Sequence, residues 1–453
     1  MNGEWRIVND ELRIAHPFRA LGGLQHSSRG LWALALLLLG VLLGACSNPT
    51  PAPQATQALI TTPMPAGPTP TTGPTPTPTP DLENGRLVLW HSWAESDGDA
   101  LAAILAAFHA EHPGLIVDTL FVAYPDLPRS YAEAVQAGGG PDLVLAPNQW
   151  LGDLAKAEVV QPLDDLLSAD VLNAYWPATL ENLRWASKLY GLPTHFELVS
   201  LYYNRALIAP DALPTTLDDF LTLAGADSRQ GIGLYASFYH LYWALPAFGA
   251  QLLDEQGRVI LERTDGAANF LQWLQAVHGL PGDFVDQDYG MLLDRFKKGE
   301  YAFFVDGPWS IEELRGTLGD NLGVTSLPAG PAGPAQPWLN ADGVFLNPRS
   351  TPDQQQRALR LAQALTSAAS GEILAQVAHK LPANRTTTVK DDPLLQGFMQ
   401  QAATAQSMPT LPEMEQVWGY GGDMLLKAIN DVAELDAIVV ETATLINEAN
   451  GKE

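Results

Sequence analysis

From Arg86 onward the chain alternates short apolar runs with amphipathic stretches, and this order restricts the fold more than any other feature of the sequence. "RLVLW", "LIVDTLFV" and "PDLVLAP" read as buried strands. Between the first two, Leu101, Ile104, Leu105 and Phe108 recur at helical spacing behind the cap candidates Ser96 and Asp97, and "HPG" stops the helix. Between the second and third, "RSYAEAVQAGGG" reads as a helix ended by glycines. Successive strands linked by helices must lie parallel, with helices covering the sheet faces, so the class is α/β. Further strands ("GLYAS", "YAFFVD", "GVFLN") and helices ("TLDDFLTLA", "AANFLQWLQAVHG", "DQQQRALRLAQALTSA") follow, without an internal repeat. At 453 residues the chain exceeds one ordinary hydrophobic core, so two lobes or domains are expected.

The beginning of the sequence carries a different signal. "LWALALLLLGVLLGAC" is an apolar run preceded by Arg29 and closed by small residues, as a secretory leader requires. Leu31 to Leu43 is short for a bilayer span, which takes about 20 apolar residues. Leu43-Gly44-Ala45-Cys46 looks like a bacterial lipobox, in which the thiol of the chain's single cysteine receives a diacylglycerol and becomes the mature N-terminus. The tract 47–80 is crowded with proline and threonine and lacks apolar periodicity, which predicts an extended tether reaching up to roughly 100 Å at about 3.1 Å per residue. These segments predict export and attachment to the outer face of the cell membrane through a lipid.

A net charge of −26 disfavours nucleic acid and acidic membrane surfaces as partners. A single cysteine excludes an internal disulfide. No G-x-S-x-G elbow, H-E-x-x-H, P-loop or dinucleotide fingerprint occurs, and the nine histidines form no pair at metal spacing. "AGGGPD" follows a helix and precedes a strand, the wrong order for a phosphate cradle. No cofactor and no metal are expected. Asn384-Arg385-Thr386 matches a glycosylation sequon, a match short enough to arise by chance.

"YAFFVDGPWSIEEL", residues 301–314, admits two readings. Ser310 and Glu313 fit a capping box, with Trp309 and Leu314 forming a hydrophobic staple around it. Alternatively, the Gly-Pro turn holds the Trp309 indole over a cleft, where a ligand can lie on its face.

Five stretches, in order, resemble the extracellular solute-binding proteins of ABC sugar importers, close to the maltose/maltodextrin-binding branch. They are "AAFHAEHPGLIVD", "AGGGPDLVLAP", "LYGLPTHFELVSLYYNRAL", "FKKGEYAFFVDGPW" and "MPTLPEMEQVWGYGGDMLLKAI". The resemblance implies a periplasmic-binding-protein-like fold: two α/β lobes joined by a multi-strand hinge, with the ligand in the cleft between them. It places the crossings near 197–200, 339–342 and 382–387. Residues 1–45 are then the signal peptide, 46–84 the lipidated cysteine and tether, 85–198 plus 342–385 lobe one, and 199–341 plus 386–453 lobe two. A monomer is expected, working with the permease subunits of an ABC transporter.

The resemblance also assigns roles. Trp309 corresponds to a tryptophan on which a sugar ring stacks, and a pyranose suits an indole because its apolar C–H face covers the ring while hydroxyls ring its edge. Trp418 corresponds to a second platform, its neighbours Gly419, Gly421 and Gly422 favouring a turn or the start of a helix, with Tyr420 beside it. Glu197 corresponds to a lobe-one carboxylate that bonds sugar hydroxyls. Phe238, Tyr239 and Tyr242 match an aromatic wall, some of which must be core at helical spacing. Asp306, Gln149, Trp150 and Trp93 complete the candidate set. Two departures stand out. Where the branch carries a Trp and then an Asp-Arg pair after the third strand, this chain has Ala146, Gln149 and Trp150. The acid-base pair after the first strand is also missing, where "HSWAESDG" stands. The lobe-one half of the cleft is therefore remodelled.

Carbohydrate binding and delivery to a permease is the leading reading. Two alternatives remain: an exported glycoside hydrolase, which would use carboxylates about 5–10 Å apart, drawn from Glu197, Asp306 and Asp342, and a sugar sensor or adhesion lipoprotein of the same fold.

Overall fold

In a computed structural model of the protein, residues 81–452 are described. The leader, Cys46 and the proline-rich tract as far as residue 80 lie outside them. Among the described residues, no helix is long and apolar enough to cross a membrane.

The described residues open with the three strands expected from the periodicity: β1 (Gly85–His91), β2 (Leu115–Phe121) and β3 (Leu143–Pro147). β1 pairs parallel with both β2 and β3. Helix Glu95–Glu111 packs between β1 and β2 in sequence, burying Leu101, Ile104 and Phe108. It starts two to three residues earlier than the cap candidates suggest: Ala94 is the N-cap, makes no side-chain cap, and Asp97 lies inside the first turn. Helix Leu127–Gln136 ends at the glycine run, where Gly138 and Gly140 adopt φ of +83° and +87°, backbone that β-carbons resist.

A short hairpin, β4 (Arg184–Trp185) and β5 (Lys188–Leu189), precedes β6 (Gly191–Glu197). β7 (Ser200–Asn204) then begins a second sheet with β8 (Ile232–Tyr235), β9 (Phe284–Asp286), β10 (Phe303–Asp306) and β11 (Leu322–Thr325), in the order β11-β7-β10-β8-β9. β12 (Trp338–Leu346), β13 (Leu381–Pro382) and β14 (Gln406–Ser407) return to the first sheet, which runs β13-β6-β12-β3-β1-β2 with β14 on β12. The result is two α/β lobes, each built on its own sheet, with a hinge of several strands between them.

The crossing from β6 to β7 is dry. Leu198 and Val199 are buried, and Leu198 shares a core with Phe196 of β6 and Tyr202 of β7. β12 spans the junction. At its start Trp338 packs with Phe238, Tyr242 and Trp418, whereas Val344 to Leu346 lie between β3 and β6. Between them the β6 pairing slips at Asp342/Gly343, leaving Thr194 unpaired. Such a bulge bends a strand and re-aims a side chain; here Thr194 Oγ1 donates to the Asp342 carbonyl at 3.0 Å.

Asn384, the sequon residue, is buried, its amide donating to the Thr366 carbonyl at 3.2 Å. A glycan has no room there.

Candidate functional site

In open α/β sheets ligands bind beyond the carboxyl ends of parallel strands, and both sheets here place aromatic and charged side chains at those ends. In lobe one, His91 ends β1, with Trp93 just beyond; Tyr124 follows β2; Gln149 and Trp150 follow β3. In lobe two, Tyr239 and His240 follow β8, Tyr289 follows β9 and Trp309 follows β10. The direct β6–β7 connection turns these two rims toward one cleft.

Trp309 is 43% exposed, whereas Leu314 is fully buried. Its ring neighbours are Tyr239, at 6.3 Å between centroids, and His240, edge-on at 5.9 Å. The expected capping box is absent. Ser310 sits at the helix start in helical backbone with no side-chain cap, because its hydroxyl donates to Asp306 instead, and Glu313 pairs with Lys297. A long-range acceptor outcompetes the local one.

Asp306 is completely buried. Its carboxylate accepts from the Tyr289 hydroxyl at 2.7 Å, from Ser310 and from the Gly307 N–H at 2.9 Å, and it lies 3.4 Å from His240 Nε2. Burial and then the Asp306 charge raise the Tyr289 hydroxyl above its ordinary range, so Tyr289 remains a donor. Asp306 therefore lies beneath the platform and holds its neighbours; it does not face the cleft.

Tyr239 is the aromatic of the 238–242 segment that stands beside Trp309. Burial raises its hydroxyl well above the usual phenol range, the charge of Glu197 adds to the rise, and Asn340 of β12 lies against the hydroxyl. Phe238 and Tyr242 are core residues. Phe238 is 3% exposed and presses on Gly421, where a β-carbon would come within 2.6 Å of its ring. Tyr242 stacks on Trp338 at 3.7 Å and lines a cavity of about 420 Å³ whose walls include none of Trp309, Tyr239 and Glu197.

Trp418 and its three glycines lie inside helix Met414–Ile429, so where a turn or the start of a helix was expected there is a helix interior. Trp418 is half-buried and edge-on to Trp338 at 5.5 Å. Tyr420 stands two residues on, about 200° around the helix, so the two rings cannot share a face; it too is half-buried against the lobe-two core.

The lobe-one half is a polar cluster. Glu197 ends β6 with its side chain 37% exposed, and Lys380 Nζ lies 3.5 Å from it and 3.2 Å from Asp97. Burial pushes the Asp342 carboxyl up to about 7, with Glu197 adding to the rise and Lys380 opposing it. Trp93, a candidate contact, is nearly buried: its indole helps hold the Asp342 carboxyl down and its ring meets His195 edge-on at 5.3 Å. Burial, then Lys380, holds His195 well below the usual imidazole range, so it is neutral. Trp150 leans on Tyr124 at 4.6 Å, and exposed Gln149 donates to the Tyr124 hydroxyl. Burial of that hydroxyl, then Asp342 and Glu197, pushes it up to about 12.

Sequence reading thus missed Lys380, Asp97, His195, His240, Asn340 and Tyr124 as site residues. Tyr124 alone carried a usable signal, as an aromatic just past the carboxyl end of a parallel strand. Among the described residues, no group of three or more His, Cys, Asp or Glu side chains is arranged to hold a metal.

A cleft between two α/β lobes, floored by crossing strands and lined by aromatic faces and carboxylates, defines a binding protein for a small solute. Residues 103–397 match the family model described as "Bacterial extracellular solute-binding protein", and the chain belongs to that family. Among curated relatives, it is 25% identical over 351 residues to the maltotriose-binding protein of Pyrococcus abyssi, covering 74% of this chain and 76% of that one. It is also 25% identical over 364 residues to the galactooligosaccharide-binding protein of Bacillus subtilis, covering 74% and 82%. Among solved structures, a cyclo/maltodextrin-binding protein complexed with maltotetraose superposes with a TM-score of 0.72 at 24% identity, covering 83% of this chain and 98% of that one. At that identity the superposition speaks to the fold.

Proposed function

We infer that this protein binds a neutral oligosaccharide of the maltodextrin kind outside the cytoplasm and hands it to the permease of an ABC transporter. The observation that carries this reading is the exposed Trp309 face standing beside Tyr239, with Glu197 near enough across the cleft to raise the Tyr239 hydroxyl. An aromatic face takes the C–H side of a pyranose, and carboxylates and amides take its hydroxyls. Trp309, Tyr239, Glu197, Gln149 and Trp150 serve as contacts; Asp306, Trp93 and Tyr289 hold them in place. Curated relatives that bind maltotriose and galactooligosaccharides support the ligand class. So does the maltooligosaccharide ABC transporter solute-binding lipoprotein of Streptococcus pneumoniae, which also supports the transporter and the lipid on Cys46.

The ligand closes the cleft by making contacts that exist only when both lobes reach it. Lobe one is 85–198 plus 342–385, and lobe two is 199–341 plus 386–453. The protein acts as a monomer and as a carrier, not a hydrolase: of the three candidate acids, Asp306 is buried and saturated, leaving Glu197 and Asp342 beside a lysine. Calorimetric titration of the full chain with maltotriose, a galactooligosaccharide and glucose tests the reading. Saturable binding of an oligosaccharide with no new reducing ends supports it; release of reducing ends assigns the cleft to a hydrolase.

A further inference from the structure

Lobe one carries no lysine or arginine where β1 and β3 end at the cleft: residues 91–97 and 147–151 contain neither. The structure brings one in from elsewhere. β13 pairs antiparallel with β6, Leu381 opposite Phe196 and Pro382 opposite His195. Extending that register by one residue sets Lys380 opposite Glu197. The approach depends on His379, which ends helix Ala368–Ala378 in left-handed backbone (φ +51°) while the Lys380 N–H donates to the Leu374 carbonyl at 3.2 Å. A residue with a β-carbon adopts that conformation at a cost, and here it aims the next side chain at the cleft floor. The ammonium bridges Asp97 of the first helix and Glu197 of the crossing, with all three side chains partly exposed.

We propose that Lys380 is a ligand-positioning residue of this cleft: its ammonium fixes the Glu197 carboxylate as an acceptor for ligand hydroxyls and supplies the cation that the strand-end loops of lobe one lack. This rests on the oligosaccharide reading of the site. Burial pulls the ammonium toward its neutral form, but Glu197, Asp97 and Asp342 outweigh it, so Lys380 stays charged.

The groups facing Asp342 are Glu197 and His195 on β6, Lys380, Asp97, Trp93 and the Tyr124 hydroxyl. His195 is neutral throughout the neutral range, so Lys380 is the one cation among them. A ligand closing over Asp342 removes more water from it and favours its protonated form, so affinity falls as pH rises through the Asp342 titration. Removing Lys380 takes away the charge that holds this carboxyl down. The midpoint of that fall must then move to higher pH.

Titrating maltotriose into the full chain between pH 6 and pH 9 tests the proposal on wild type, Lys380→Met and Lys380→Arg. The Met variant is expected to bind about tenfold more weakly at pH 7, the scale for unpairing a partly buried charge, with its midpoint shifted upward. The Arg variant should keep both the affinity and the midpoint. If Lys380 merely ties two segments together, Lys380→Met lowers the melting temperature of the unliganded protein and leaves Kd and its pH profile unchanged, and that result overturns the proposal. Should Lys380→Met not fold, the Arg variant decides: a midpoint displaced by more than half a pH unit contradicts the role. A wild-type protein that binds none of the oligosaccharides overturns the reading of the cleft itself.

Discussion

The Trp309 indole lies flush against Gly307: a β-carbon at residue 307 would stand 2.1 Å from the ring. Gly307 has extended backbone at φ −98°, which any residue adopts, so the glycine is there to make room for the tryptophan. Asp306, one residue earlier, holds His240, Ser310 and Tyr289 around the same turn. The exposed face is thus fixed from behind by a buried carboxylate and from below by a bare backbone.

Gly307→Ala should therefore act on the platform. The new methyl group must push the ring aside, an overpacking cost of about 1–3 kcal/mol. Sugar affinity should fall at least tenfold, and the tryptophan fluorescence of the unliganded protein should change. Unaltered affinity would show that the ring position does not matter to the ligand.

Asp306→Ala should act on stability. It strips the acceptor from Tyr289, Ser310 and the Gly307 N–H inside the protein, at a cost of about 3 kcal/mol. Urea unfolding should show the loss. If instead stability is intact and only affinity drops, Asp306 faces the ligand.

Asp283 predicts a pH dependence remote from the cleft. Its carboxyl is buried, Oδ2 has no hydrogen-bond partner, and burial raises it to about 7 although the Ile232 N–H opposes the rise. Its folded value exceeds the unfolded one, near 4, so the native state holds the extra proton between them. Stability from this group is therefore full below about pH 4 and is lost as pH rises toward 7, by about 2–4 kcal/mol. Asp283→Asn should flatten that slope and raise the melting temperature at pH 8 relative to wild type. An unchanged slope between pH 5 and pH 8 would assign the dependence to other groups.

Cys46 lies beyond the described residues, and its role is tested by mass. The wild-type protein should fractionate with membranes and carry a lipid, and Cys46→Ser should leave an uncleaved or untethered protein without that lipid. A variant that remains membrane-bound at the wild-type mass rules out the lipobox.

The sequence displays what is local. The strands and helices between Arg86 and Pro147 were legible because burial on one face writes a period into the chain, and the glycine run 138–140 because its backbone demands it. The exposure of Trp309 was not legible from its Gly-Pro turn, which admits a staple equally; the resemblance favoured the platform, and the structure leaves the ring 43% exposed. Ser310 misled because its local pattern names Glu313, while the hydroxyl is taken by a carboxylate on the preceding strand. Gly421 misled for a similar reason: it makes room for Phe238, about 180 residues away, and not for a turn. Lys380 could not be read at all, since its partners Asp97 and Glu197 are brought to it by sheet pairing and by the turn at His379.

Paired calorimetry on one variant tests Trp309 as a sugar platform. Trp309→Ala of the full chain should bind maltotriose about tenfold to a hundredfold more weakly, the effect of losing about 1–3 kcal/mol of ring contact. Its unliganded melting temperature should stay within about one degree of wild type, because a face open to water supports no core. A variant that melts early yet binds maltotriose with wild-type affinity would make Trp309 a structural residue and not a platform.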